Sequence, residues 1–295
     1  LGAGANTHDY EDRIPELIKA GCDMIFFDNS DSDGFFAEDA ANYMQRRYKG
    51  FPFALGNFVT EAGAKLAMDL GAYSVGIGIG IGSICTTSEN IDIGSGQATA
   101  VMNGRKAQKK HLAETGVYVP IYADGGITRE RFKETMSGRR RSKQEQDELR
   151  ELDEGHQIAK ALALGADSVM MGRYFARFEE SPATMREITV MVGNIPFRAT
   201  VKEYWGEGSE RAREWREGRY NQRSVAEGIE SVVTYAGPMK PVLDTTTEAV
   251  KLAMMHCGTP TIYELHLKAP YQRRSKRAKA EGSPHSITRE LIGIV

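Results

Sequence analysis

The sequence predicts an α/β fold built on a parallel sheet, and three observations carry that prediction. Short apolar runs of strand length recur along the chain, stretches of helical period separate them, and glycines close those stretches. Each intervening helix carries the chain back across the sheet, so successive strands run parallel. The periodicity leaves open whether the sheet closes into a barrel or stays open and doubly wound.

Gly2–Ala5 is the first predicted strand. Ile14, Leu17 and Ile18 then form one apolar stripe of a helix that terminates at Gly21. Asp23–Asp28 and Phe51–Gly56 are the next two strands, with helix between them. Thr60 is placed to cap a helix that carries Ala64, Leu66, Ala67 and Leu70 and stops at Gly71. Tyr73–Gly78 and Val117–Ala123 are the fourth and fifth strands. Ile158, Ala159, Leu162 and Ala163 repeat the helical stripe before Gly165, and Asp167–Met171 is the sixth strand.

Composition narrows the function classes. A chain of 295 residues with 41% hydrophobic content can bury one large core. Its formal charge of −2 supplies no global attraction for nucleic acid or an anionic membrane, and no apolar run reaches bilayer length. Leu1-Gly2-Ala3 does not open a basic-then-apolar leader, so no secretory signal is expected. Cys22, Cys85 and Cys257 are too few and too scattered for a disulfide framework, which suits a reducing, cytoplasmic setting. Cys22 and Cys257 are expected to be small core residues. The histidines show no pair at metal-ligand spacing and no cysteine cluster joins them, which argues against zinc.

The run Gly78-Ile79-Gly80-Ile81-Gly82-Ser83-Ile84-Cys85-Thr86-Thr87 singles itself out, because a buried strand ends in backbone-exposing glycines that lead to one cysteine. A Gly-rich turn beside a buried structural cysteine is one reading, and a nucleophile in an anion-binding loop is the other. Further segments stand around it in order: Phe27-Asp28-Asn29-Ser30-Asp31, Leu55-Gly56-Asn57, Gly96-Gln97-Ala98-Thr99-Ala100, Ala123-Asp124-Gly125-Gly126-Ile127, Met170-Met171-Gly172-Arg173, Lys202-Glu203-Tyr204-Trp205-Gly206-Glu207-Gly208-Ser209 and Glu281-Gly282-Ser283. This ordered series, spanning nearly the whole chain, resembles the inosine monophosphate dehydrogenase and guanosine monophosphate reductase family.

The resemblance implies a (β/α)8 TIM barrel with its active site at the C-terminal ends of the strands. Asp28, Asn57, Cys85, Asp124 and Gly172 all follow predicted strands, which agrees with that placement. Only six strands are visible, so residues 1–295 are expected to form a catalytic barrel domain lacking its first two strands, a fragment or a sheet completed by another segment. The nucleotide-sensing modules that the family inserts after its second strand are not in the sequence. A charge-dense insertion at 128–154 and a mobile flap at about 198–228 are expected, the insertion as a solvated helical excursion. The basic run Arg273-Arg274-Ser275-Lys276-Arg277 lacks an interleaved aromatic platform and is expected at the surface.

The resemblance also implies chemistry. Cys85 would attack C2 of inosine monophosphate (IMP), hydride would pass to NAD, and the thioimidate would be hydrolysed to xanthosine monophosphate. Arg219 and Tyr220 match the flap pair whose arginine acts as base toward water, Thr87 would help to place that water, and Glu227 would relay protons. Ser83, Gly126, Gly172 and Arg173 match the phosphate positions, with Tyr204 adding a hydroxyl, and Gly125 is a further substrate-binding position. Asp124 matches the ribose carboxylate, against the plainer role of capping a turn. Glu207, Gly208 and Glu227 match positions reading the purine edge. Asp28 and Asn57 resemble residues at the nicotinamide end, with Asn29 and Ser30 nearby. A monovalent cation, usually K+, would be held by carbonyls of Gly80, Gly82 and Cys85, joined by Glu281, Gly282 and Ser283 of a neighbouring subunit, which implies a homotetramer.

Four positions depart from the family pattern. Gly76 stands where a basic residue is common, Ile81 where a small residue or proline is usual, Ser283 replaces a glycine, and Glu227 stands where many relatives carry glutamine. The leading expectation is an NAD-dependent IMP dehydrogenase in guanine nucleotide synthesis, with IMP and NAD as its small-molecule partners. The alternatives are an NADPH-dependent guanosine monophosphate reductase, which lacks the Arg-Tyr flap, and a catalytically silent nucleotide-binding or RNA-associated scaffold.

Overall fold

The computed structural model describes residues 1–6, 9–29, 35–127, 143–192, 195–215, 226, 228–275 and 278. Strands β1 (Gly2–Ala5), β2 (Met24–Asp28), β3 (Phe53–Phe58), β4 (Ser74–Ile77), β5 (Ile121–Asp124) and β6 (Ser168–Met170) form one sheet in sequence order, with every pairing parallel. That order settles the choice left open by periodicity. A doubly wound sheet reverses its strand order at a switch point, whereas this one never reverses, as in a (β/α)8 barrel. The six strands and their helices make a partial barrel.

Helices α1 (Tyr10–Lys19), α2 (Phe35–Arg47), α3 (Glu61–Asp69), α4 (Thr87–Ile91), α5 (Gln97–Thr115) and α6 (Lys143–Leu164) fill the connections. Thr60 caps α3 as its type predicts, its hydroxyl accepting from the Gly63 N–H at 3.0 Å. Ile25, Val75, Ile77 and Ile121 are fully buried between strands and helices. Gly104 lets α5 press onto the sheet: a Cβ there would lie 2.8 Å from Ile77 and 3.2 Å from Ile121. Deleting a side chain such as Ile121 from this core costs about 2–5 kcal/mol.

Three expectations are corrected. Val117 and Tyr118 lie outside β5 and are exposed, because the chain between α5 and β5 crosses the rim before entering the sheet. Cys22 and Cys257 are half-buried, Cys22 donating to the Met24 carbonyl at 3.0 Å and Cys257 closing α9 (Met239–His256). Glu154, the last residue of the expected solvated insertion, is buried within α6.

Past β6 the chain turns through α7 (Gly172–Ala176) into a second, antiparallel sheet of β7 (Met185–Val192), β8 (Ile195–Trp205) and β9 (Glu230–Thr234). Residues 198–205 thus belong to β8. Two buried charges anchor its end. The Lys202 ammonium donates to the carbonyls of Phe178 at 2.7 Å and Ser181 at 2.6 Å. Glu203 accepts from Arg211 of α8 (Glu210–Trp215) at 3.0 Å and pairs with Arg186 of β7. The next residue, Tyr204, is held in place by these locked neighbours. Helix α9 packs against α6, and α10 (Ile262–Lys268) closes the described part of the fold. No helix among the described residues is long and apolar enough to cross a membrane.

Candidate active site

The loop after β4 carries Cys85, half-buried, its thiol donating to the Thr87 hydroxyl at 3.2 Å. A turn shapes the loop, with the Cys85 N–H donating to the Gly82 carbonyl at 3.1 Å. Its far side is fastened to the end of the expected flap and the residue after it. The Ile229 N–H donates to the Ile84 carbonyl at 3.0 Å, and Asn90 donates to the Ala226 carbonyl at 2.7 Å. Ala226, Gly228 and Ile229, which lead into β9, therefore lie against the Cys85 loop.

Loops after β4, β5 and β6 converge beside it. Gly125 and Gly126 take φ of 78° and 67°, left-handed backbone that favours glycine. A Cβ on Gly125 would lie 3.1 Å from the Gly82 nitrogen, so the two loops touch. On Gly172 a Cβ would sit 2.6 Å from the Tyr204 hydroxyl, which brings the β6 loop under β8. Tyr204 hydrogen-bonds Ser83; burial raises its phenol pKa, while that bond and the Arg173 charge oppose the rise. Ser83, Gly125, Gly126, Gly172, Arg173 and Tyr204 thus form one polar cradle. Arg173 donates from Nη2 to Glu154 Oε1 at 2.6 Å.

Two carboxylates, Asp124 and Glu207, lie near enough to Asp28 for their charges to act on it. Asp124 accepts from Asn57 Nδ2 at 2.8 Å, and burial raises its carboxyl pKa against that bond. Asp28 stays open to solvent yet lies deep in the concave mouth. Burial first, then the negative charges of Asp124 and Glu207, push it up to about 7. Asn29 joins β2 to β3, its N–H donating to the Gly56 carbonyl and its carbonyl accepting from Asn57, both at 3.0 Å. The Gly56–Asn57 peptide is cis. Glu207 and Gly208 stand at the turn after β8, where the Ser209 N–H closes onto the Gly206 carbonyl at 3.0 Å. Ser30, Arg219, Tyr220, Glu227, Glu281, Gly282 and Ser283 lie outside the described residues.

Three side chains given no role from sequence prove to organise the site. Gln97 Nε2 donates to the Ile77 carbonyl at 2.9 Å and the Asp124 carbonyl at 3.0 Å, stitching the β4 and β5 loops together. Its place in the Gly96–Ala100 segment was the available signal. The Tyr122 ring fills the interior beside Gly76, and burial with the charges of Asp28 and Asp124 raises its phenol pKa strongly. The departure at Gly76 was its signal. Glu154 had none, because it closes a run of charges that reads as solvent-facing.

The donor set suits a monovalent cation in kind, because carbonyl oxygens of a glycine loop are hard ligands. Gly80 takes φ of 74°, and a Cβ there would meet the Ser88 hydroxyl at 1.7 Å, so this backbone admits only glycine. A dinucleotide reaching the mouth would meet Asp28, Asn29 and Asn57, which offer carboxylate and amide groups there.

Comparison with known proteins identifies the family. The family model described as IMP dehydrogenase / GMP reductase domain matches residues 1–132 and 152–285, and its gap falls within the charge-dense insertion. The inosine-5'-monophosphate dehydrogenase of Tritrichomonas foetus is 37% identical over 291 residues, covering 97% of this chain and 51% of that protein. The proteins of the same name from Haemophilus influenzae and Yersinia pestis are 33% and 34% identical, covering 97% and 98% of this chain and 52% of each protein. The chain spans about half the length of the curated relatives it matches. With the family model matching most of its length, the chain belongs to the IMP dehydrogenase / GMP reductase domain family.

Proposed function

We propose that this chain carries the catalytic centre of an NAD-dependent IMP dehydrogenase, which would convert IMP, water and NAD+ to xanthosine monophosphate, NADH and a proton. The observation that carries the proposal is the convergence of Cys85 and the Ser83–Gly125–Gly172–Tyr204 cradle on one mouth, one part suited to a purine carbon and the other to its 5'-phosphate.

The cradle would hold the phosphate dianion through backbone N–H groups, the Tyr204 hydroxyl and the Arg173 guanidinium. Asp124, fixed by Asn57, would accept from the ribose hydroxyls. Cys85 Sγ would then bond to C2 as its proton leaves, and C2 would lose hydride, leaving a thioimidate. NAD supplies the hydride acceptor, and Asp28, Asn29, Ser30 and Asn57 would hold its nicotinamide end. Water would add to C2 and expel the thiolate, with Arg219 taking its proton, Tyr220 and Glu227 assisting, and Thr87 placing the water from 3.2 Å away from the sulfur. Glu207 and Gly208 would read the purine edge. K+ would bind the carbonyls of Gly80, Gly82 and Cys85, with Glu281, Gly282 and Ser283 of the adjacent subunit in a homotetramer. Arg219-Tyr220 favours dehydrogenation over the reductase branch.

The test is NADH absorbance with IMP, NAD and K+. Formation of NADH that vanishes in Cys85→Ala supports the proposal. NADPH oxidation with guanosine monophosphate replaces it with the reductase, and nucleotide binding without turnover replaces it with the silent scaffold.

A further inference from the structure

The structure assigns Glu154 as a positioning residue that holds Arg173 in the nucleotide-phosphate cradle; this rests on the phosphate reading of that cradle. Glu154 lies at the end of the charge-dense segment, in α6, which also packs against α9. Its side chain is 2% exposed, so its charge must be met by protein. Two arginines meet it from α7 and the turn after it. Oε1 accepts from Arg173 Nη2 at 2.6 Å and Oε2 from Arg177 Nη2 at 3.2 Å.

The two arginines differ in what they can do. Arg177 is buried, its guanidinium 4.8 Å from the Tyr174 ring centroid and 5.0 Å from that of Phe178, and its Nε donates to the Tyr174 carbonyl at 3.2 Å. It is part of the core and serves as the fixed counter-charge of Glu154. Arg173 keeps 28% of its side chain accessible and lies near enough to Tyr204 for its charge to act on the phenol. Of the two guanidinium groups, Arg173 is the accessible one and the one whose charge reaches the cradle. An untethered arginine would lose rotamer freedom on closing over phosphate, whereas here much of that ordering precedes binding. The ordering comes from a helix that no phosphate-binding segment contains.

IMP and inosine binding to the full chain, measured by titration calorimetry, tests the assignment in wild type, Glu154→Gln, Glu154→Asp, Arg173→Ala and the Glu154→Gln/Arg173→Ala double variant. Glu154→Asp keeps the charge that Arg177 requires but shortens the reach, so it preserves the test if Glu154→Gln does not fold. Either single Glu154 variant is expected to weaken IMP binding about tenfold and leave inosine binding unchanged. In the Arg173→Ala background, Glu154→Gln is expected to add nothing further. Equal weakening of IMP and inosine, or full weakening without Arg173, overturns the assignment. Wild-type protein that binds IMP no better than inosine overturns the phosphate reading beneath it, an outcome read from a different sample.

Discussion

A methyl group placed on Gly76 tests how tightly the interior of the sheet is fitted beneath the site. A Cβ there would lie 2.5 Å from Asn57 Oδ1, 2.6 Å from the Tyr122 hydroxyl and 2.7 Å from Tyr122 Cζ. Unstrained contacts need about 3.5 Å, so both neighbours must retreat by about 1 Å. Overpacking of this kind costs about 1–3 kcal/mol. Moving Asn57 also strains its 2.8 Å bond to the Asp124 carboxylate, and a bond to a charged group contributes about 1.5–3 kcal/mol. Gly76→Ala is therefore expected to destabilise the protein by about 2–4 kcal/mol, read from the urea midpoint at unchanged slope. Tyr122→Val removes two of the three close contacts, so in its presence Gly76→Ala should cost at least about 1 kcal/mol less. Additive costs, or a Gly76→Ala protein as stable as wild type, refute the packing argument.

The remaining predictions concern pH, capping and the flap. Asp28 holds its proton in the folded state up to about pH 7, whereas an unfolded aspartate releases it near about pH 4. Its stabilising contribution is complete below about pH 4 and is lost as pH rises to about 7. Its solvent access keeps that slope modest, and Asp28→Asn should flatten it in urea midpoints collected across this window; a slope that survives the substitution contradicts the assignment. Thr60→Ala removes the acceptor for the Gly63 N–H and should cost about 1 kcal/mol, with circular dichroism melts as the check. Arg219→Ala should leave the first burst of NADH intact in stopped flow and slow steady-state turnover by about 100-fold or more. An undiminished steady-state rate removes Arg219 from the base role.

The parallel sheet was legible in the sequence because its signals are local. Each strand is a short apolar run, and helix ends such as Thr60, Gly71 and Gly165 are set by single residues. The barrel order was not, since periodicity does not record which strand lies beside which. The antiparallel β7–β9 sheet escaped for another reason. Its alternation, as in Glu187-Ile188-Thr189, sits in a charged setting, and Gly193-Asn194 between the strands is the only hairpin signal. Within the site, glycine and cysteine positions were readable because backbone geometry restricts them to few residue types. Glu154 and Gln97 were not, because their roles depend on partners 19 or more residues away: Arg173 for one, the Ile77 and Asp124 carbonyls for the other.

The bond between Cys85 and a purine carbon is the step on which the proposed chemistry depends. The chain incubated with IMP and NAD, quenched in acid, digested and analysed by mass spectrometry should yield the Cys85 peptide carrying the purine nucleotide. An unmodified Cys85 peptide from a mixture that is making NADH would contradict covalent catalysis at this residue.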